Sequence, residues 1–534
     1  MNLCAKKMND PDYEHKLLAS SVNDFLLEEN GSQVVNDYTR IRNVAGKIQR
    51  SCLDHVTLNC VNKISPPVIL GLGKSDHLGI LVSKKSREIR ANPRTARKRV
   101  YKEFNRTDFK KDIVTAKNKG LFSAMHETED ENKAWEIFEH VFVSVLDKHA
   151  PIKVIQNRNN YVPYINPELR KLMTERDILK ETAAKLGTVE AFEAYKNARN
   201  EVSTKLKTAE SDNYKTKFEN RNATAAEIWR GAYQLLGRVR SQFPTQIMAR
   251  GILFSKPVEM ATEVNEFFLS KIRNLKENIQ SSTPEETTAE LKSFLKSKTI
   301  PSGGFKLREI ENSDVRKLIN KMKGKKSHGM DWMCGYSLKI VAEDLLPEIK
   351  ILINLSLRNN RFINRWKFSR ILPGYKNKGS KFELKSYRPI SNLSEVSKLA
   401  ERVVYNQLYD YLKENDLIHP NHHGFLKHCS TATALQQIYD IWLQSLDKGN
   451  MAAALFLDLS AGFDVIDHDI LIKKLKLYKF SSGAVEWFAS YLTNRYQCVQ
   501  VESSFSPYLP VPWGVPQGSI LGPLIFLLFI NELP

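Results

Sequence analysis

One stretch constrains this chain more than any other: Ala454-Leu-Phe-Leu-Asp-Leu-Ser-Ala-Gly-Phe-Asp-Val-Ile-Asp-His468. It is answered further on by Trp513-Gly-Val-Pro-Gln-Gly-Ser-Ile-Leu-Gly-Pro523. In the first stretch an apolar run ends on Asp458, which reads as a buried strand finishing at a carboxylate. Removing a carboxylate from water is costly unless a cation or a donor meets it. Asp458 is therefore either a cap on the following turn or a ligand. Phe463 and Asp464 follow at fixed offsets, and Gln517 sits between Pro516 and Gly518 in a turn that opens a second apolar run. That company favours a ligand.

The bulk properties narrow the setting. With 534 residues, 42% of them hydrophobic, the chain is long enough for more than one folded core. Lysine and arginine number 80 against 60 acids, a net +20, which favours a polyanionic partner through counterion release. The six cysteines (Cys4, Cys52, Cys60, Cys334, Cys429, Cys498) form no C-x-x-C pair. They read as reduced thiols of an intracellular protein, not a disulfide frame or a zinc knuckle. The N-terminus carries no apolar signal core, so secretion is not expected. Residues 520–530 are the most apolar run, too short for a membrane span of ~20 residues and broken by Gly522-Pro523. A buried helix is expected there, and no membrane partner.

Taken in order, residues 1–85 alternate short apolar runs with turns. Ser51-Cys-Leu-Asp-His-Val56 is followed, after the strand-like run 67–72, by Ser75-Asp76-His77. Between Lys84 and Lys119 basic residues far outnumber the acids Glu88, Glu103, Asp108 and Asp112, with Tyr101, Phe104 and Phe109 interleaved. That mixture suits a nucleic-acid backbone with stacking, or a solvated linker face. Asn166-Pro167 offers an N-cap and a first-turn proline. Leu169, Leu172, Arg176 and Leu179 follow at helical spacing, as do Phe192, Tyr195, Arg199, Val202 and Leu206, so a pair of long helices is expected. The polar run 280–290 is a candidate boundary. From about Phe305 a second folded region begins, with a strand through Ile371-Leu372-Pro373. His422, His423 and His428 lack partners at ligand spacing and read as loop histidines. No internal repeat is visible.

The two opening stretches resemble the first two palm motifs of reverse transcriptases from non-LTR retrotransposons of the jockey-like, LINE-type kind. The resemblance extends upstream through Lys325-Lys-Ser-His-Gly-Met-Asp331 with Leu338-Lys339, Ser386-Tyr-Arg-Pro-Ile-Ser391, Ser397-Lys-Leu-Ala-Glu401 and Gly424-Phe-Leu-Lys427. It implies RNA-directed DNA synthesis: dNTP addition to a DNA primer or target 3′ end on an RNA template, with two Mg²⁺ ions ~3.5–4 Å apart. Asp458 would be the catalytic metal ligand, joined by the carbonyl of Leu459. Arg388, supported by Lys376 and Lys378, would face the triphosphate, where a planar guanidinium fork suits phosphate oxygens. Phe463 would lie under the sugar, and Gln517 against the incoming nucleotide. Gly514, Gly518 and Lys427 would meet template and primer. In residues 1–85 the pattern resembles the last strands of an exonuclease–endonuclease–phosphatase domain, with His77 facing a phosphate, Asp54 orienting its imidazole and Asp76 near a metal.

Departures accompany the match. Ala461-Gly462 replaces Lys-Ala, Leu426 replaces Arg, and Tyr164 stands where the family's connector has Trp. No Tyr-Ala-Asp-Asp hairpin occurs before Pro534. The expectation is a polymerase cut short at both ends, its metal site half present and its turnover lost. The expected fold is α+β: an incomplete right-hand polymerase (fingers and partial palm, residues 305–534), preceded by a basic and helical connector (86–304) and the C-terminal remnant of an α/β-sandwich endonuclease (1–85). A non-catalytic nucleic-acid-binding remnant of a decayed element is the alternative. The setting implied is intracellular, nuclear or cytoplasmic, with residues 94–99 as an import signal.

Overall fold

The computed structural model describes residues 16–28, 32–44, 47–58, 65–71, 75–83, 95–156, 163–220, 223–236, 243–278 and 286–533. The chain is mixed helix and strand and separates into two compact units, residues 1–92 and 93–534.

Among its described residues the first unit has one helix, Lys16–Glu28, and three antiparallel strand pairs. Ser32–Gln33 pairs with Thr57–Leu58, Arg40–Val44 with Lys47–Ser51, and Val68–Leu70 with Gly79–Leu81. The strand expected within 67–72 is the Val68–Leu70 strand. Its core is small: buried Val35 and Cys52, with Val34, Leu53, Val56, Ile69 and Ile80 packed around them.

The second unit has a large helical core and a sheet covered by a helix. Helices Arg106–Asn118 and Glu131–His149 bury Phe109, Ile113, Trp135, Phe138 and Phe142. They join one continuous core with Leu346–Arg358, Glu395–Glu414 and Ser482–Leu492. Side-chain caps start four of these helices: Asn105 accepts from Thr107 N, Asp130 from Asn132 N, Ser394 from Ser397 N and Ser481 from Ala484 N. Residues from the expected connector thus share their core with the 305–533 region. Within the described part of the basic run, Thr95–Arg99 forms an antiparallel ribbon with Ile152–Gln156, and Arg106–Asn118 is helical. Residues 84–94 lie outside the described residues, including Arg94 of the proposed import run.

The sheet runs in the order Tyr387–Asn392, Phe368–Tyr375, Arg495–Val501, Ser504–Phe505, and Leu509–Val511 also pairs with Arg495–Val501. Phe368–Tyr375 and Arg495–Val501 are parallel, and the other pairings are antiparallel. Helix Pro257–Glu277 buries Met260, Val264 and Phe268 against Ile371, Tyr387, Val499 and Val501 of this sheet. The helix expected after Asn166 spans Pro167–Leu186, with Asn166 accepting from Leu169 N and Pro at its first turn. Gly187, at φ 66°, lets the chain reverse before Thr188 caps Val189–Glu219. This hairpin buries only Leu169, Ala183 and Val202. Of the polar run at 280–290, residues 280–285 lie outside the described residues, and 286–290 begin helix Glu286–Lys296. The apolar run 520–530 forms helix Gly522–Phe529, buried along Leu524, Ile525, Leu527 and Leu528. Among the described residues, no helix is long and apolar enough to cross a membrane.

One expectation fails. Residues 454–459 form no strand, and Leu455, Phe456 and Leu457 are each more than 80% exposed. A strand is stabilised by its neighbour's hydrogen bonds and side chains, and among the described residues no strand pairs with this run.

Candidate active site

The turn after Asp458 and the loop 513–521 interlock. Val515 N donates to Phe463 O (2.8 Å), and Gly514 N to Ile466 O (2.9 Å). His468 Nε2 lies 2.9 Å from Gly514 O. Gln517 Nε2 donates to Asp464 Oδ2 at 2.7 Å, and Ser391 N donates to Gln517 O at 2.9 Å. The loop is thus tied to the Asp464 turn on one side and to the Tyr387–Asn392 strand on the other. Buried Glu401 ties its far end, Oε2 accepting from Ile520 N (2.6 Å) and Leu521 N (3.2 Å).

Two glycines make this closeness feasible. Gly514 has φ 73°, and a Cβ there would stand 2.5–2.6 Å from Asp464 backbone atoms. Gly518 has φ 134°, and its Cβ would stand 2.5 Å from Ser391 O. Both are left-handed conformations that glycine adopts without penalty. Phe463 stacks on Phe526 with ring centroids 4.7 Å apart, and Phe425 meets both rings edge-on.

Beneath the loop lies a cavity of about 40 Å³ lined by Ser391, Asp464, Arg495, Gln497, Trp513 and Gln517 among others. It has room for a water or two and none for a nucleotide. Burial pushes the Asp464 carboxyl up to about 6, against the opposing pull of the Gln517 hydrogen bond and the Lys271 charge. Lys271 belongs to helix Pro257–Glu277, whose Lys276 also pairs with Asp467 at 2.7 Å. That helix, from the expected connector, is part of this neighbourhood.

The other residues singled out from the sequence fall as follows. Asp458 and Leu459 lie on the exposed segment, and no described residue pairs with the Asp458 carboxylate. Arg388 is exposed in mid-strand, opposite Gly374. Lys376 Nζ donates to Lys385 O (2.8 Å); burial first, then the Lys271 and Arg388 charges, hold its pKa below the usual lysine range. Lys378 is exposed in the turn between the two strands. Lys427 sets its ammonium 4.4 Å above the Tyr409 ring. His423 bonds Thr433 at 2.9 Å and pairs with Gln437, an ordinary polar network.

In the first unit His77 Nδ1 lies 2.9 Å from Asp54 Oδ2. Burial raises the Asp54 pKa, but hydrogen bonds from His77 and Thr39 outweigh it and hold the carboxyl below its usual range. Asp76 accepts from Arg40 Nε at 2.6 Å, and that bond keeps its carboxyl low. The chain therefore brings Asp54 to His77, while Asp76 is engaged by Arg40.

Some contributors were not read from the motifs. Glu401, at the end of Ser397-Lys-Leu-Ala-Glu401, bonds the loop with no signal in the sequence beyond an acid on an apolar helix face. Arg370 is buried, donating to His328 O (2.7 Å) and Gln500 Oε1 (3.1 Å). Burial, then the Arg370 charge, drives His328 down to about 3. Burial raises Asp331 to about 6. His328 and Asp331 of this stretch thus form, with Arg370, a buried polar node.

Comparison with known proteins fits this geometry. Residues 375–534 match the family described as reverse transcriptase (RNA-dependent DNA polymerase). The probable RNA-directed DNA polymerase from transposon BS of Drosophila melanogaster is 33% identical over 228 residues, 43% of this chain and 25% of that protein. The RNA-directed DNA polymerase from mobile element jockey, of the same organism, is 27% identical over 254 residues (47% and 27%). The probable RNA-directed DNA polymerase from transposon X-element, also of D. melanogaster, is 29% identical over 225 residues (42% and 25%). The chain spans about a quarter of the length of these relatives. The resemblance read from the motifs holds: residues 375–534 match the reverse-transcriptase family, and the chain is similar to the polymerases of jockey and related elements.

Proposed function

We propose, from the reverse-transcriptase match of residues 375–534, that this chain is part of the RNA-directed DNA polymerase of a jockey-like non-LTR retrotransposon. Residues 305–534 supply fingers and part of the palm, 86–304 a connector, and 1–85 strands of an endonuclease-type domain. The observation that carries this reading is the interlock of the Asp464 turn with the Gln517 loop against the Arg388 strand. It ties Gln517 to Asp464 and to the strand that carries Arg388, which supports a shared role for these residues at one nucleotide.

Each has a role its chemistry allows. Arg388 and Lys376 offer cations to a triphosphate, with Lys378 on the adjoining turn. The Phe463 ring, fixed by Phe526, bars a 2′-hydroxyl by bulk. Gln517 gives its amide N–H to Asp464, which leaves its Oε1 as an acceptor for the nucleotide. Gly514, Gly518 and Lys427 would meet the template and primer, Lys427 adding a cation. RNA template, DNA primer and dNTPs are the partners this implies, and chromosomal DNA as target implies access to the nucleus. Reverse transcriptases use divalent metal ions, and Asp458 with the Leu459 carbonyl would contribute ligands. Among the described residues, however, no three His, Cys, Asp or Glu side chains converge, so these two do not make up a metal site by themselves.

That same observation favours a second reading, a chain that holds nucleic acid without extending it. Primer extension on poly(rA) with oligo(dT) separates the two. Incorporation that Asp458→Ala abolishes supports the polymerase. Binding that weakens steeply with salt, with no incorporation, supports the second reading.

A further inference from the structure

We infer that the ribbon formed by Thr95–Arg99 and Ile152–Gln156 is a binding surface for the phosphodiester backbone of a nucleic-acid strand, separate from the Gln517 loop. Its register is the starting point. Lys98 and Lys153 are direct cross-strand partners, and both are exposed. Directly opposed residues hold their Cβ atoms ~4.5–5.5 Å apart, and like charges in that position are destabilising. A strand pair tolerates such a placement best when an anion lies across it.

Alternation along the strand separates this pair from its neighbours. Thr95, Arg97 and Arg99 take the opposite face, and that face is engaged by the rest of the unit. Thr95 Oγ1 is 2.6 Å from Ser503 Oγ, and the Arg97 guanidinium lies 5.3 Å from the Trp332 ring centroid. Arg99 is buried, donating to Trp332 O and Ala150 O, each at 2.8 Å, and paired with Asp147. The ribbon is thereby anchored by one face and offers Lys98 and Lys153 on the other. Near its end the Lys326 ammonium sits 4.7 Å from the Tyr101 ring and 5.1 Å from Tyr336, with Lys102 and Lys325 exposed beside them in sequence. Among the described residues none of Lys98, Lys102, Lys153, Lys325 or Lys326 has a carboxylate partner.

The aromatics interleaved in this basic run do not serve as stacking platforms. Phe109 is fully buried, Phe104 packs on the same core, and Tyr101 is covered by Lys326. Recognition is therefore by charge alone, which predicts strong salt dependence and no base preference. This inference stands apart from the polymerase reading, because it needs no turnover.

The test is fluorescence anisotropy of the full chain with labelled single-stranded RNA, single-stranded DNA and duplex DNA across a salt series. Each lost phosphate contact lowers the slope of log K against log salt by ~0.7 for a single strand. Lys98→Ala with Lys153→Ala should therefore lower it by about 1.4. The comparison is Lys171→Ala with Lys196→Ala, which removes the same charge from the exposed helical hairpin. Equal slopes for the two double variants overturn the proposal, as does binding to anionic lipid vesicles that oligonucleotides fail to compete. A slope lowered only by the ribbon variant supports it. The three probes then tell which strand type the surface takes. Lys98→Glu gives an independent check. Facing Lys153, it should raise the melting temperature while weakening binding; a fall in melting temperature with binding intact contradicts the account.

Discussion

Residues 451–459 and the loop 513–521 meet at the turn 461–468, yet they are held in very different ways. The loop has its backbone and its glutamine tied to the Asp464 turn, to Ser391 and to Glu401. The segment has Leu455, Phe456 and Leu457 facing water and no strand beside it among the described residues. The difference is one of how many partners each structure needs. A glycine loop is completed by a few local groups at short range, all of which this chain supplies. A core strand is a collective object, complete only when a neighbour satisfies its N–H and C=O groups. The same chain can therefore lock the Gln517 loop in place and leave the segment that carries Asp458 unsupported.

The sharpest way to break this comparison is at Gly514. A Cβ there meets Asp464 backbone at 2.5 Å, at a φ that side chains rarely adopt. Gly514→Ala should cost about 2–4 kcal/mol, from strain plus the displaced turn. Denaturant unfolding measures it; a loss below about 0.5 kcal/mol would mean the loop is not locked. Gln517→Leu should cost less, about 1–3 kcal/mol, by leaving the Asp464 carboxylate without its donor.

The Asp464 carboxyl gives the loop a pH signature. Its folded pKa, about 6, lies above the ordinary 3.8, so the folded state binds the extra proton between those values. Stability from this group is greatest below the ordinary pKa and is lost as pH rises through about 6. Asp331, raised to about 6 by burial, has the same sign. His328, lowered to about 3, has the opposite sign: its contribution is present above 6.5 and lost as pH falls. Asp464→Asn should therefore gain melting temperature relative to the parent as pH rises from 4 to 7. A difference constant with pH would show that Asp464 keeps an ordinary pKa.

How much of this was legible in residue order follows the same division. The helix starts at Asn166-Pro167 and the reversal at Gly187 could be read because caps and turns are local chemistry. So could the strand through Ile371, the buried helix at 522–529 and the glycine-flanked Gln517. What could not be read depended on distant partners. Phe104 and Phe109 looked like stacking residues, and they are core, because Glu131–His149 folds over them. Glu401 looked like part of a helix pattern, and it holds the loop across more than a hundred residues of chain. Asp464 and Gln517 were both noted, but only the fold makes them a pair.

The smallest predicted effect is the most pointed test of the comparison. Leu457 is 82% exposed one position before Asp458. A surface substitution without packing partners changes stability by no more than about 0.5 kcal/mol. Burying a leucine contributes about 1.5–3 kcal/mol relative to leaving it in water. Leu457→Ser should thus leave the unfolding midpoint almost unchanged. A loss above about 1.5 kcal/mol would mean the run 454–459 is packed as a strand in solution. The carboxylate of Asp458 would then be held from below, and the two halves of the site would no longer differ in kind.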